Sequence, residues 1–122
     1  MHDSEFRGKE TEKVFNGEFP KKLPPVHPGE VLLEDFMKPL GISQYRVAND
    51  IGVAPLRINQ IVRGKRAITA DTALRLARYF GTTPGIWLRL QARYDLEVAQ
   101  NQFGKKINRQ VKVLEATHYA TG

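Results

Sequence analysis

Cysteine does not occur in the 122 residues, which excludes disulfides and thiolate metal sites. The three histidines, His2, His27 and His118, stand far apart with no second histidine at i+4, and neither an HExxH run nor a glycine-rich phosphate loop is present. No apolar run approaches the roughly 20 residues that span a bilayer. The opening MHDSEFRGKE is polar and mixed in charge, unlike a secretory signal. The acid pairs Glu34-Asp35 and Asp95-Glu97 fall on opposite faces or at helix ends, the arrangement of a solvated surface rather than a catalytic dyad. These absences point to a cytoplasmic protein that is not an enzyme, holds no metal and no cofactor, and has no membrane partner. Internal repeats and low-complexity runs are missing too.

What is present is positive charge, unevenly spread. The net charge of +6 favours polyanionic partners without choosing among DNA, RNA and acidic proteins. Residues 1 to 26 are neutral and residues 27 to 42 carry −2, whereas residues 43 to 66 carry +4, from Arg46, Arg57, Arg63, Lys65 and Arg66 against Asp50. Residues 67 to 102 add +1 and residues 103 to 122 add +3. The excess therefore sits on one internal stretch and on the C-terminal tail.

That internal stretch, SQYRVANDIGVAPLRINQIVRGKR from Ser43 to Arg66, is punctuated as two short helices and a tight turn. Ser43 suits an N-cap, Gly52 a stop, and Pro55 the first turn of a second helix, where its missing N–H costs nothing. Val47, Ala48, Ile51, Val53, Ile58 and Ile61 are spaced to close a small core between the two. Ala54, Pro55, Leu56, Asn59, Gln60 and Arg63 are left facing outward. A solvated helix face favours Lys and Glu pairs, but this row holds amides, small apolar groups and arginine, with no acid. Asn and Gln can make two hydrogen bonds to an adenine edge, Arg can do so to guanine, and Ala, Pro or Leu can touch a thymine methyl. A DNA-reading helix-turn-helix is the expectation; an αα-hairpin with an incidental polar surface is the alternative.

The flanks supply a helical scaffold. The run PPVHPG leads into a helix with Pro28 in its first turn, Glu30 at the positive end of its dipole, and Leu32, Leu33, Phe36, Met37 and Leu40 as its core face; Pro39 and Gly41 end it. His27 is read as the residue that opens this helix. After the motif, RGKRAIT places cations where a DNA backbone would pass. A helix from about Thr69 then buries Ala73, Leu76, Ala77 and Phe80 before Gly81, and a last helix, roughly residues 84 to 100, carries Ile86, Trp87, Leu90, Tyr94 and Val98. That apolar face is wider than packing on a short motif needs, so its outer part is expected to pair with a second copy; Trp87 is read as a core anchor. Residues 1–25 form an N-terminal extension, 26–103 the DNA-binding domain, and 104–122 a basic tail that an edge strand, a partner-binding segment or disorder would each fit.

The stretch from His27 to Gln100 closely resembles the HigA family of antitoxins, also called virulence-associated protein I or plasmid-maintenance antidote proteins. The phrases HPGEVLLEDFMKPLGISQYRVAND and INQIVRGKRAITADTALRLARYFGTTPGIWLRLQARYDLE carry the resemblance, over about 60% of the chain. It implies an all-α, five-helix phage-repressor-like (XRE) fold and a homodimer on operator DNA with an inverted repeat. It also implies repression of the protein's own operon and neutralisation of a HigB-type toxin, an mRNA-cleaving RNase. The family's recognition helix corresponds to Pro55 through Val62, which again makes Ala54, Pro55, Asn59, Gln60 and Arg63 the base-facing residues. Gln44, Arg57, Lys65 and Arg66 fall where phosphate contacts are expected.

Residues 5 to 24, EFRGKETEKVFNGEFPKKLP, depart from the antitoxin pattern and resemble the opening of a HigB-type toxin. An inert fusion remnant is the preferred expectation, and an arm that imitates the toxin on its antitoxin the alternative. Three functional classes remain: antitoxin and autorepressor, stand-alone repressor of other genes, and a protein-binding scaffold for which the basic motif is incidental.

Overall fold

A helix that begins with proline needs another residue to hold its free N–H groups, and His27 does so, its Nδ1 accepting the Gly29 N–H at 2.9 Å. The computed structural model describes residues 24–115. A short helix that the sequence allows from Glu10 to Phe15, ended by Asn16-Gly17, all but the last residue of the toxin-like stretch, and the end of the tail lie outside the described residues.

Helix α1 starts as the turn Pro28–Val31, widens into a π-helical stretch Leu32–Met37, and closes with the turn Lys38–Leu40. The widening accommodates Pro39, which cannot donate a hydrogen bond and would crowd the carbonyl four residues back; the Lys38 N–H bonds Leu33 O, five residues back. Pro39 therefore lies inside the helix, and Gly41, at φ +66°, ends it. The wide turn also corrects the expected core face. A 3.6-residue period carries Leu40 inward with Leu33 and Phe36, but the slower π rotation leaves it 62% exposed. Ile42 packs on the core instead, and its N–H bonds Met37 O at 3.1 Å.

The remaining helices among the described residues are α2, Gln44–Ile51; α3, Pro55–Val62; α4, Ala70–Phe80; and α5, Pro84–Gln110. Ser43 caps α2, its Oγ accepting from the Arg46 N–H at 3.1 Å, and Gly81 ends α4 at φ +77°. Helix α2 packs on α3 and α4, α1 on α3 and α5, and α4 on α5. They enclose one core of Leu32, Met37, Val47, Ala48, Ile51, Ile58, Ile61, Ile68, Ala73, Leu76, Ala77 and Trp87. Trp87 is fully buried beside Phe36, with its Nε1 donating to Thr82 Oγ1 at 2.9 Å, so its only polar group is satisfied. The fold is all-α among the described residues, as expected.

Helix α5 departs from the expectation twice. Ile86 stands exposed while Gln91 occupies a buried position on the inner stripe. The helix also runs straight through Gly104 to Gln110, 27 residues, so residues 104–110 are neither strand nor irregular tail. A mid-helix glycine costs about 1 kcal/mol relative to alanine, and the good helix formers on both sides offset it. At 1.5 Å per residue α5 is about 40 Å long. None of the described helices is both long and apolar enough to cross a membrane.

Candidate nucleic-acid interface

The two helices of the motif meet at Gly52, whose φ of +77° turns the chain sharply enough for the Val53 N–H to reach back to Ala48 O at 3.0 Å. Ala48 is fully buried, as close approach of the two helices requires. Helix α3 then starts at Pro55 with no acid in its first turn, so the positive end of its dipole is not cancelled locally.

Behind α3 lies a contact that no periodicity reveals. A Cβ on Gly29 would sit 1.7 Å from the carbonyl oxygen of Ile61, so only glycine lets α1 approach the end of α3. The outer surface of α3 is set against this backing. Ala54, Pro55, Leu56 and Arg63 are exposed, and Asn59 and Gln60 are half-buried, all from one short helix and its flanks.

The two amides are half-buried because each is already held by a neighbour. Asn59 Nδ2 donates to Gln44 Oε1 at 3.1 Å, and Gln60 Oε1 accepts from Arg66 Nη1 at 3.1 Å. Each retains polar capacity. Asn59 keeps Oδ1 and its second amide hydrogen, and Gln60 keeps its NH₂ group and the second lone pair of Oε1, so each still has the donor and acceptor that an adenine edge requires. Their neighbours thus restrict the rotamers before any ligand arrives, which lowers the ordering cost of binding.

The cations fall into two groups. Lys65 and Arg66 are exposed in the turn after α3, where Gly64 adopts φ +73° and the Lys65 N–H bonds Gln60 O at 2.8 Å. Arg57 is placed differently. Its Nη1 lies 2.9 Å from Asp71 Oδ2 and 3.4 Å from Thr72 Oγ1, with its side chain 29% exposed, so it ties α3 to α4. Asp71 also receives Arg75 Nε at 3.0 Å, and the hydrogen bonds from Arg57 and then Arg75 hold its carboxyl below the usual carboxylate range. Arg75 further donates to Ile51 O at 2.8 Å, satisfying a carbonyl at the end of α2. One acid and two arginines therefore join three helices behind the outward face. Asp71, Arg75, Gly29 and Gln91 are residues that sequence reasoning missed as supports of this surface.

Burial pushes the His27 imidazole below its ordinary pKa; Asp95 and a hydrogen bond to the Arg66 backbone oppose the shift. The ring stacks edge-on against Tyr94 at 4.8 Å and lies under Gly64, joining the start of α1 to the basic turn.

A helix-turn-helix family model matches residues 33–87, which contains α2, the turn and α3. Virulence-associated protein I of Dichelobacter nodosus is 52% identical over 79 residues, 65% of this chain and 73% of that protein. The structure of Pseudomonas aeruginosa antitoxin HigA with the higBA promoter aligns at a TM-score of 0.72 with 40% identity, over 74% of this chain and 98% of that one. Antitoxin GraA in complex with its operator aligns at 0.73 with 40% identity, over 81% of this chain and 100% of the other. On this sequence identity, shared extent and common fold, the chain belongs to the HigA family of helix-turn-helix DNA-binding proteins, which are regulators and not enzymes.

Proposed function

We infer that the protein is an operator-binding antitoxin that represses its own operon as a homodimer and neutralises a HigB-type RNase toxin, working in the cytoplasm where its DNA lies. The observation that carries the DNA half is the acid-free outer face of α3, with Asn59 and Gln60 pre-oriented beside the exposed cations Arg63, Lys65 and Arg66. Ala54, Pro55, Leu56, Asn59, Gln60 and Arg63 read base edges; Gln44, Lys65 and Arg66 meet phosphates, and Arg57 reaches one while bridged to Asp71. Relatives bound to a promoter and to an operator support this assignment.

The dimer rests on α5. Leu88, Ala92, Leu96, Ala99, Phe103 and Ile107 fall within roughly a 100° arc of the helix, and all six are exposed, Leu96 by 69% and Phe103 by 48%. A single-faced apolar stripe on a helix that extends past the core is the surface a second copy covers. Two-fold pairing sets two α3 helices about one DNA turn, roughly 34 Å, apart, so the operator is an inverted repeat.

Binding-site selection from random duplexes, followed by titration at two salt concentrations, tests the DNA half. An inverted repeat with a steep salt dependence is expected; equal affinity for selected and random DNA overturns it. Co-purification with the product of a small basic gene beside its own, and loss of that product's mRNA cleavage on mixing, tests the antitoxin half. A stand-alone repressor is the second reading, favoured by residues 5 to 24, whose likeness to a toxin's opening fits an operon that has lost its separate toxin.

A further inference from the structure

The turn that carries Lys65 and Arg66 is held from three sides. At its start the Gly64 and Lys65 N–H groups bond Ile61 O at 2.9 Å and Gln60 O at 2.8 Å. Beneath it the His27 ring faces the open side of Gly64 and hydrogen-bonds the Arg66 backbone. At its far end the Ile68 N–H donates to Oε1 of Gln91 at 2.8 Å, a bond that crosses from the loop to α5, 23 residues away. Gln91 is 7% exposed, and one turn along α5 its Nε2 donates to Asp95 Oδ1 at 3.0 Å. Both ends of the amide are therefore occupied, and its orientation is determined. A flipped amide would set NH₂ against the Ile68 N–H and a carbonyl oxygen against a carboxylate. The position lies on the inner stripe of α5 beside Trp87, where sequence periodicity calls for an apolar residue, yet a buried backbone N–H at the end of an irregular loop requires an acceptor.

We propose that Gln91 is a positioning residue for phosphate binding: through the Ile68 N–H it fixes the turn 63–68 against the scaffold, so that Lys65 and Arg66 are ordered before DNA arrives. The proposal rests on the DNA-binding reading above. Gln91 itself is buried and acts through the loop backbone. Released from Gln91, the loop keeps its charges but must be ordered at the moment of binding, a cost that leaves one or both phosphate contacts unmade in the complex. Base preference at the position read by Asn59 is unaffected, because Gln44 on α2 holds that side chain. Gln91 also ties this turn to α5, the helix whose outer half carries the exposed apolar stripe.

The test is a double-mutant cycle on the full chain, with the selected duplex titrated by fluorescence anisotropy over a range of salt. The proteins are wild type, Gln91→Met, Lys65→Ala with Arg66→Ala, and the triple variant. Gln91→Met is expected to lose roughly tenfold in affinity at moderate salt and to flatten the log K against log salt slope by about one to two units. In the Lys65→Ala, Arg66→Ala background it is expected to have no further effect. Equal losses in both backgrounds, or an unchanged salt slope, overturn the proposal. If Gln91→Met melts below the assay temperature, Gln91→Glu decides, because it keeps the acceptor for Ile68 but sets two carboxyls side by side that must share a proton. Relative to wild type at each pH, Gln91→Glu should bind well at about pH 5.5 and lose affinity by about pH 8, with the loss absent in the Lys65→Ala, Arg66→Ala background; a loss that persists there overturns the proposal. Failure of the wild type to prefer any duplex removes the DNA-binding reading, whereas a wild type that binds beside an unaltered Gln91→Met removes this inference alone.

Discussion

Two surfaces of this molecule are exposed for opposite reasons. The outer face of α3 is polar, and its two amides are each held by a hydrogen bond to a neighbour, Asn59 to Gln44 and Gln60 to Arg66. The outer half of α5 carries an apolar arc, with Leu96, Phe103 and Ile107 exposed along it and no described residue covering them. A hydrogen-bonding surface gains from being ordered in advance, since its contacts are directional. An apolar surface needs only shape and area, so it can wait for a second copy. Under the proposed function, direction is built into the face that discriminates between sequences, and area into the face that associates.

If the α3 face owes its geometry to what stands behind it, the largest effect belongs to a residue that touches no ligand. Gly29→Ala drives a Cβ into the Ile61 carbonyl, and a loss of at least about 3 kcal/mol is expected. Urea denaturation measures it, and a stability within 1 kcal/mol of wild type, by the same yardstick, means α1 does not brace α3. Next, Leu96→Glu with Phe103→Glu should produce a folded monomer by sedimentation and reduce affinity for the full inverted repeat at least ~100-fold, leaving half-site binding in place. A dimer that survives both acids places the self-association surface elsewhere. On the other face, Asn59→Ala or Gln60→Ala should cost about 1 to 3 kcal/mol on the selected duplex and relax preference at one base pair per half-site. Equal losses on selected and random duplexes would show that these amides do not read bases.

The smallest effect is the pH dependence contributed by His27. Burial lowers its pKa in the folded protein below the roughly 6.5 of an unfolded chain. Its contribution is therefore complete above about 6.5 and declines as pH falls through that value toward the lower folded pKa. The proton that the ring then gains costs it the Nδ1 lone pair that accepts the Gly29 N–H. His27→Asn keeps a capping acceptor without titrating in this range, and its urea midpoint should fall less between pH 7.5 and 5.5 than that of wild type, values chosen to bracket about 6.5. Equal falls in the two proteins remove His27 from the account.

Much of the architecture was legible because helix ends are local chemistry. Ser43, Gly52, Pro55 and Gly81 act on backbone groups within a few residues of themselves, and the structure has each doing what its type suggests. Inward spacing was equally readable in α2 and α3, where the period is regular. It failed for Leu40 and Ile42, since the π-helical stretch changes the rotation per residue and Pro39 gives no direct sign of where the turn will widen. Helix α5 also runs ten residues past the expected end near residue 100, because the apolar arc of Leu96, Phe103 and Ile107 continues through Gly104.

The composition, charge distribution and helix punctuation of this chain suffice to establish a small all-α protein with an acid-free polar face beside a basic turn, because those properties depend on residues close together in sequence. Which side chains support that face depends on residues far apart. Arg57 meets Asp71 across 14 residues, Ile68 meets Gln91 across 23, and Gly29 meets Ile61 across α1 and α3. Each of these contacts exists only once packing has brought separate helices together, and no local preference in the sequence encodes such a meeting.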